Sequence, residues 1–290
     1  MEIIRPIIEM QALSRQFRAD ARRIAFVPTM GFLHEGHLQL LREGKRRGDI
    51  LVLSIFVNPT QFGVGEDFEK YPRNLEGDAA LATSAGVDVI FCPESREMYP
   101  LQYQTSIDVE EVTQNLCGLS RPGHFRGVAT VCCKLFNIVA PRVALFGKKD
   151  FQQLVVIKRM AADLNLDLEI IGLPTVREKD GLAMSSRNTY LKKEERVAAL
   201  GLSRSLLAAK LLYNEGERDA ARILKVATDR LETSPLVHLE YAKICDTVTL
   251  SDLAYLENEA VLAIAARVGQ TRLIDNHVFG EPLEIAAEGN

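Results

Sequence analysis

Two histidines stand three residues apart in the stretch PTMGFLHEGHLQLL, which covers residues 28–41. Gly36 lies between His34 and His37, and an apolar run precedes the stretch. A zinc site would need a third ligand, and this spacing differs from the H-E-x-x-H pattern of zinc enzymes. The histidines could instead be ordinary surface or core residues, or imidazoles that donate hydrogen bonds to phosphate oxygens. A position between a strand and a helix favours phosphate, because the free N–H groups of a helix N-terminus attract anions.

The stretch FGKKDFQQ, residues 146–153, carries side chains suited to a nucleotide and to a polar substrate. Gly147 allows a ligand to approach the backbone closely, and Lys149 supplies a compact positive charge for phosphate oxygens. Asp150 can accept hydrogen bonds from ribose hydroxyls, and Gln153 lies one helical turn beyond Lys149. The alternative is a solvated helix start with an acidic residue in its first turn.

Three further stretches combine polar groups in short loops. MSSRN, residues 184–188, provides two hydroxyls and the guanidinium of Arg187, whose fork matches phosphate oxygens, although a polar linker would have the same composition. Asn58 and Gln61 flank a proline-containing turn. Their amides could orient a hydroxyacid without adding charge, but Asn-Pro also marks ordinary turns. In RPGHFRG, His124 lies between two arginines, which suits an anion.

The elements that would position these residues alternate along the chain. Continuous apolar runs predict buried strands over residues 22–29, 50–59, 87–93, 142–147 and 166–174. Apolar residues at helical spacing predict helices over residues 36–49, 74–86, 124–140 and 149–165. This alternation predicts an α/β fold with a Rossmann-like, doubly wound parallel sheet. The polar stretches follow predicted strands, at the edge of the sheet where such folds bind ligands.

The pattern changes after about residue 188. Two amphipathic segments, separated near Asn214–Gly216, predict two helices. Three later apolar segments predict the strands of an antiparallel sheet. We therefore expect residues 1–187 to form a larger ligand-binding domain and residues 188–290 to form a smaller α+β domain.

Composition and charge disfavour several classes of protein. The formal net charge of −4 argues against broad affinity for nucleic acid. No apolar stretch approaches the ~18–20 residues of a membrane helix, and the first residues lack a signal-peptide pattern. The five cysteines include no C-x-x-C pair. These features predict core thiols in a cytoplasmic protein.

Taken in order, the motifs resemble those of the pantoate–β-alanine ligase family. The matching stretches, within residues 27–188, are VPTMGFLHEGH, SIFVNPTQF, YPR, RPGHFRGV, FGKKDFQQL and VREKDGLAMSSRN. The histidine pair and MSSR also resemble signatures of the wider H-x-G-H nucleotidyltransferase superfamily. The resemblance implies that pantoate attacks the α-phosphorus of MgATP, giving pantoyl adenylate and pyrophosphate. It implies that β-alanine then attacks the acyl carbon, giving pantothenate and AMP, and that the histidines act at ATP without a bound metal.

The resemblance also implies roles for individual residues. His37 would be the proton donor, and Lys149 would bridge phosphate oxygens in the transition state. The implied catalytic residues are His34, His37, Lys149 and Arg187. The implied ATP-binding residues are Met30, His34, Gly36, His37, Gly147, Lys148, Lys149, Asp150, Val176, Met184, Ser185, Ser186 and Arg187. The implied residues for pantoate and β-alanine are Asn58, Gln61, Gln153 and His124. Asp78 is expected to be an outer ligand of the Mg²⁺ that accompanies ATP, and the chain is expected to form a homodimer whose smaller domain acts as a lid.

Three positions depart from the family pattern. Lys148 stands where an acidic residue is expected, Thr60 where a larger apolar residue is usual, and Gly77 where an acid is common. Three other functions compete with the ligase. One is another enzyme of the same superfamily, such as a cytidylyltransferase or an aminoacyl-tRNA synthetase fragment. The others are a zinc hydrolase that uses the histidines and a nucleotide-binding module without catalysis.

Overall fold

The computed structural model describes residues 1–63, 65–283 and 285, and the chain forms two compact units. The first unit comprises residues 1–110, 121–148 and 156–174. The second comprises residues 111–120, 149–155 and the chain from Thr175 onward. Residues 175–187, expected in the larger domain, therefore group with the second unit, and two short segments from earlier in the chain join them.

The first unit contains a six-stranded, wholly parallel sheet in the order β1-β4-β3-β2-β5-β6. The strands are β1 (Glu2–Ile4), β2 (Ile24–Thr29), β3 (Ile50–Ile55), β4 (Val89–Phe91), β5 (Val143–Gly147) and β6 (Glu169–Leu173). This confirms the predicted Rossmann-like parallel sheet. Strand β1 was not predicted, because a three-residue strand with one buried side chain leaves no periodic signal.

Helices alternate with these strands along the chain. Their bounds are α1 (Ile7–Ala19), α2 (Glu35–Arg47), α3 (Leu75–Ser84), α4 (Ser95–Met98), α5 (Leu116–Ser120), α6 (His124–Val139) and α7 (Phe151–Asp163). Helix α5 belongs to the second unit, and α7 begins there and continues into the first. The central strands are covered on both faces, and Phe26, Leu51 and Leu53 are 0% exposed. Their continuous apolar runs therefore come from double burial, as predicted.

The strand order reverses next to β2. From β2 the chain continues to β3 and β4 on one side, whereas β5 and β6 lie on the other. In open parallel sheets this reversal opens a crevice at the carboxyl ends of the strands. The histidine pair lies where the loop after β2 leads into α2, and Gly147 ends β5. The fold of the first unit thus places two of the predicted motifs at the switch point.

The second unit combines two long helices with an antiparallel sheet in the order β7-β8-β9. The elements are α8 (Lys193–Asn214), α9 (Ala220–Leu231), β7 (Val237–Asp246), β8 (Ala260–Val268) and β9 (Thr271–Val278). Leu202 and Ile223 from the helices share one buried cluster with Ile264 of the sheet. The predicted small α+β fold is confirmed.

All five cysteines are free thiols, and four of them are buried. Burial raises the pKa of the Cys132 thiol to about 12. The sulfur is therefore a neutral core group. Among the helices of the described residues, none has the length and apolar character needed to cross a bilayer.

Candidate active site

The loop after β2 begins with a sharp turn. Thr29 donates from Oγ1 to the carbonyl of Ser54 at 2.8 Å and accepts from the N–H of Gly31 at 3.2 Å. Gly31 has a φ of 82°, a conformation that costs glycine little. Phe32 follows with a φ of 52°. Two successive left-handed residues carry the chain from the end of β2 to the start of α2.

A carboxylate from α3 holds this turn. Asp78 is 3% exposed, and its two oxygens accept from the N–H groups of Phe32 and Leu33 at 2.8 and 2.7 Å. A Cβ placed on Gly31 would lie 2.9 Å from Oδ2 of Asp78, so a larger residue would push the carboxylate away. Asp78 therefore supports the backbone of the loop that leads from the end of β2 to His34, which we call the histidine loop.

His34 and His37 lie at the N-terminus of α2 with stacked rings. His34 immediately precedes the helix, Gly36 lies in its first turn, and the ring centroids are 4.0 Å apart. The N–H of His34 donates to Nδ1 of His37 at 3.3 Å. A neutral imidazole that accepts at Nδ1 carries its proton on Nε2, so Nε2 is the donor nitrogen of His37. Because a helix cannot satisfy its first N–H groups internally, an anion is favoured at the same place.

A buried amide holds Gln61 beside Met30. Asn58 is 1% exposed and donates from Nδ2 to Oε1 of Gln61 at 3.1 Å. Nε2 of Gln61 lies 3.3 Å from Sδ of Met30. Two residues expected to bind substrate thus lie next to one expected to bind ATP, all within the first unit.

His124 is held as a neutral ring. Its Nδ1 lies 2.7 Å from the carbonyl oxygen of Gln61, and its Nε2 lies 3.1 Å from Nη1 of Arg121. Since arginine only donates and a carbonyl only accepts, Nδ1 carries the proton and Nε2 accepts. Arg121 also donates to both oxygens of Glu66, at 2.7 and 2.5 Å. Burial would raise the pKa of Glu66, but the hydrogen bonds and charge of Arg121 outweigh burial and lower that pKa to about 2.

Lys149 occupies a 3₁₀ turn, Lys148–Asp150, that leads into α7. Asn276 of β9 donates from Nδ2 to the carbonyl oxygen of Lys149 at 2.8 Å. Gln152, 6% exposed, makes three hydrogen bonds of 2.9, 2.9 and 2.8 Å to the backbone of residues 112–117. The start of α7 is therefore fixed on two sides within the second unit. Lys149 lies in the turn before α7, not in its first turn as the sequence suggested.

A buried ion pair anchors the segment that precedes MSSRN. Arg177 and Asp275, with side chains 8% and 1% exposed, make two hydrogen bonds of 2.7 and 3.0 Å. Arg177 also donates to the carbonyl of Gly181 at 3.1 Å. The N–H of Met184 donates to the carbonyl of Val176 at 2.9 Å and closes this segment into a hairpin. Residues 176–184 are therefore held against β9.

The last three residues of MSSRN begin a short 3₁₀ turn, Ser186–Tyr190. Oγ of Ser185 accepts from the N–H of Arg187 at 3.3 Å and caps this turn. The buried side chain of Asn188 donates to Glu178 at 2.6 Å and to the carbonyl of Ala183 at 3.0 Å. The stretch is an ordered turn within the second unit.

The predicted residues divide between the two units. The first unit contains Met30, His34, Gly36, His37, Asn58, Gln61, Asp78, His124, Gly147 and Lys148. The second contains Lys149, Asp150, Gln153, Val176, Met184, Ser185, Ser186 and Arg187. Gln153 is half-buried on α7 and Asp150 is exposed. The first unit brings the histidines together and places Gln61 among Met30, Asn58 and His124.

The described residues contain no group of three or more His, Cys, Asp or Glu side chains that could hold a metal ion. A zinc hydrolase would need a third ligand beside the two histidines. Within the described residues, the two histidines therefore belong to no such group of three ligands.

Comparison with known proteins decides between the remaining functions. The profile of the family described as "Pantoate-beta-alanine ligase" matches residues 2–278. Pantothenate synthetase of Syntrophus aciditrophicus is 65% identical over 285 residues, which cover 98% of this chain and 100% of that protein. The chain belongs to the pantoate–β-alanine ligase family. Pantothenate synthetase of Geobacter sulfurreducens is 57% identical, with 97% of this chain and 99% of that protein covered.

Solved structures of pantoate–β-alanine ligases agree with this assignment. The pantothenate synthetase of Thermus thermophilus superposes with a TM-score of 0.91 at 43% identity, covering 96% of this chain and 99% of that chain. The pantoate–β-alanine ligase of Francisella tularensis, solved with β-γ ATP and β-alanine, gives a TM-score of 0.80 at 31% identity. That match covers 98% of this chain and 100% of the other. The chain is therefore a ligase that joins pantoate to β-alanine, and the competing functions are excluded.

Several residues that hold the predicted residues in place were not predicted from the sequence. They are Tyr99, Gln152, Arg177, Asp275 and Asn276. One signal was available in TRLIDNHVF, where three successive polar residues interrupt an apolar strand. All three are buried, with exposures of 2% for Asp275, 8% for Asn276 and 4% for His277. Buried polar residues in a strand need partners and so indicate a specific contact.

Proposed function

We propose that the chain makes pantothenate in two steps, through a pantoyl-adenylate intermediate formed from ATP. The stacked pair of His34 and His37 carries this proposal, because it lies at a helix N-terminus that follows the switch-point strand. The N–H groups of a helix N-terminus and an imidazole N–H together suit phosphate oxygens. No acidic residue other than Glu35 lies in the first turn of α2.

In the first step, the pantoate carboxylate attacks the α-phosphorus of ATP and pyrophosphate leaves. Two anions must meet, so the site has to align them and stabilise the charge that grows on the phosphate oxygens. We assign this stabilisation to Nε2–H of His37, to His34 and to the ammonium of Lys149. Arg187 and the N–H groups of its turn bind the triphosphate, since an Arg fork matches phosphate oxygens.

In the second step, the β-alanine amine attacks the acyl carbon and AMP leaves. We assign pantoate to Gln61 and Gln153, and β-alanine to the neighbourhood of Gln61 and His124. The neutral ring of His124 donates to the backbone of Gln61, so it helps to hold that residue. Met30, Gly36, Gly147, Lys148, Asp150, Val176 and Met184 to Ser186 are proposed to line the nucleotide site.

Magnesium enters as part of the MgATP substrate. Both oxygens of Asp78 already accept backbone N–H groups, and Gly77 beside it carries no carboxylate. Each oxygen keeps a further acceptor site, so the role of Asp78 as an outer ligand of the ion stays a prediction. Magnesium binds phosphates and keeps several waters in many nucleotide sites, so protein ligands are not required.

We further propose that the enzyme is a homodimer and works in the cytoplasm. The cytoplasmic assignment is supported by five free thiols, four of them buried, which suit a reducing compartment. Sedimentation equilibrium of the purified protein measures the oligomeric state, and a mass of one chain at micromolar concentration would contradict the dimer.

The deciding experiment is isotope exchange between pyrophosphate and ATP. We expect exchange that requires pantoate and Mg²⁺ but not β-alanine, because the adenylate forms before the amine enters. Addition of β-alanine should then yield pantothenate and AMP in equal amounts. Exchange that needs β-alanine, or release of ADP in place of AMP, would contradict an adenylate intermediate.

A further inference from the structure

The side chain of Asn58 has no hydrogen-bonding capacity left for a substrate. Its Nδ2 donates to Oε1 of Gln61 at 3.1 Å and to the carbonyl of Gly127 at 3.1 Å. Its Oδ1 accepts from the hydroxyl of Tyr99 at 2.8 Å and from the hydroxyl and N–H of Thr60 at 3.0 and 3.4 Å. A primary amide has two N–H donors and two acceptor lone pairs. All of them are used, and the residue is 1% exposed.

These contacts fix which end of Asn58 is the donor. The carbonyl of Gly127 can only accept, so it requires the NH₂ group on its side. The N–H of Thr60 can only donate, so it requires the carbonyl oxygen on the other side. The Tyr99 hydroxyl makes the shortest of the three contacts to that oxygen. Burial raises the pKa of Tyr99 to about 12, so this hydroxyl keeps its proton at physiological pH.

The orientation of Asn58 in turn sets the orientation of Gln61. Oε1 of Gln61 faces the NH₂ group of Asn58, because a flipped amide would set two donors against each other. The NH₂ group of Gln61 is therefore turned away from Asn58, toward Met30. A thioether is a weak acceptor, which leaves strong donor capacity for a ligand. Pantoate offers carboxylate, hydroxyl and carbonyl oxygens, all of which accept.

We propose that Tyr99 is a positioning residue for pantoate recognition: its hydroxyl fixes Asn58, which holds Gln61 with its NH₂ group toward the oxygens of the acid substrate. The inference rests on the proposed contact between Gln61 and pantoate. Tyr99 and Asn58 act through Gln61 and do not touch the substrate. The NH₂ group of Gln61 therefore favours an acid substrate that has acceptor oxygens facing it.

Tyr99→Phe tests the proposal, because it removes the hydroxyl and keeps the ring. We expect the KM for pantoate to rise about tenfold, since the buried Oδ1 of Asn58 loses its best donor. The KM for ATP and the melting temperature should stay close to those of the wild type. Thr60→Val removes the second hydroxyl donor at an exposed position and should raise the pantoate KM in the same direction.

Tyr103→Phe is the matched control. The Tyr103 ring packs edge-on against Tyr99, with 5.1 Å between centroids, and Lys134 lies over both rings. The hydrogen bonds of the Asn58 side chain described above all come from other residues, so loss of the Tyr103 hydroxyl should leave the pantoate KM unchanged. A rise equal to that of Tyr99→Phe would show that packing matters and would overturn the proposal.

A double-mutant cycle with Gln61→Ala separates this inference from the function on which it rests. If Tyr99 acts through Gln61, adding Tyr99→Phe to Gln61→Ala should raise the pantoate KM no further. A full additional tenfold rise would overturn the positioning role. An unchanged pantoate KM in Gln61→Ala alone would instead refute the proposed pantoate contact. A raised KM in Gln61→Ala with none in Tyr99→Phe would refute only the role of Tyr99.

Discussion

The side-chain amide of Asn276 donates to the main-chain carbonyl of Lys149, with 2.8 Å between Nδ2 and the oxygen. The N–H of Asn276 donates to Oδ1 of Asp275 at 2.8 Å, and Asp275 is paired with Arg177. One stretch of β9 thus connects the turn that carries Lys149 to the hairpin that ends at Met184. Both segments are proposed to bind ATP. Their spacing within the second unit is set by β9, a strand to which the proposal assigns no contact with ATP, pantoate or β-alanine.

Lys149→Ala is expected to lower the rate of pantoate-dependent pyrophosphate–ATP exchange by at least about 100-fold, because phosphate charge in the transition state loses its cation. Circular dichroism should show an unchanged fold, since the backbone contact from Asn276 does not involve the ammonium. Lys158→Ala, at an exposed position on α7, is the control and should exchange at the wild-type rate. Near-normal exchange in Lys149→Ala would remove this residue from the mechanism.

His37→Ala is expected to slow adenylate formation by roughly 100- to 1,000-fold, the usual effect of losing one donor to a developing oxyanion. In the proposed mechanism the Nε2–H of His37 is that donor, and the Nδ1 contact to His34 holds the ring. Single-turnover release of pyrophosphate measures the step directly. His238→Ala changes an exposed histidine of β7 and should leave the rate unaltered. If the two variants behave alike, the histidine loop does not act on the phosphates.

Asp275→Asn is expected to lower the free energy of unfolding by about 3–5 kcal/mol, because the buried charge of Arg177 loses its counter-ion. Both side chains are largely buried, with exposures of 8% and 1%. Urea denaturation gives the value. Arg159→Ala breaks an exposed pair with Asp163, whose side chains are 48% and 57% exposed, and should cost less than about 0.5 kcal/mol. Equal costs for the two variants would argue against a structural role for the buried pair.

Stability is expected to fall in weak acid through His277. Burial, followed by the nearby charges of Lys210 and Arg177, lowers the pKa of His277 from 6.5 to about 4. Above pH 6.5 the ring is neutral in both folded and unfolded chains, so it adds no pH dependence. Between 6.5 and 4 the unfolded chain binds the proton first, and the folded state loses up to roughly 3 kcal/mol relative to it.

His277→Gln should therefore flatten the dependence of unfolding free energy on pH between about 7 and 4. His238→Gln, which changes an exposed histidine, should keep the wild-type slope. The same steep slope in both variants would assign the acid sensitivity to other groups.

The sequence allowed prediction of those features that repeat along the chain. Strands β2 and β3 are continuous apolar runs because both faces are buried, and the motifs after them lie where parallel sheets bind ligands. The contact of Asp78 with Leu33 and that of Asn276 with Lys149 join residues far apart in the chain. A single long-range hydrogen bond leaves no periodic trace. Its acceptor or donor here is a backbone group, which almost every residue carries.

The clamp of Asp78 on the histidine loop has a consequence for protein engineering. The loop conformation depends on Gly31, on a carboxylate 45 or more positions later in the chain, and on the helix that carries it. A graft of residues 28–41 alone onto another parallel sheet would carry the two histidines but not the Asp78 carboxylate that holds the backbone of their loop. The transferable part is therefore a discontinuous piece, the loop together with α3, and a graft should carry both or supply an equivalent buried acid.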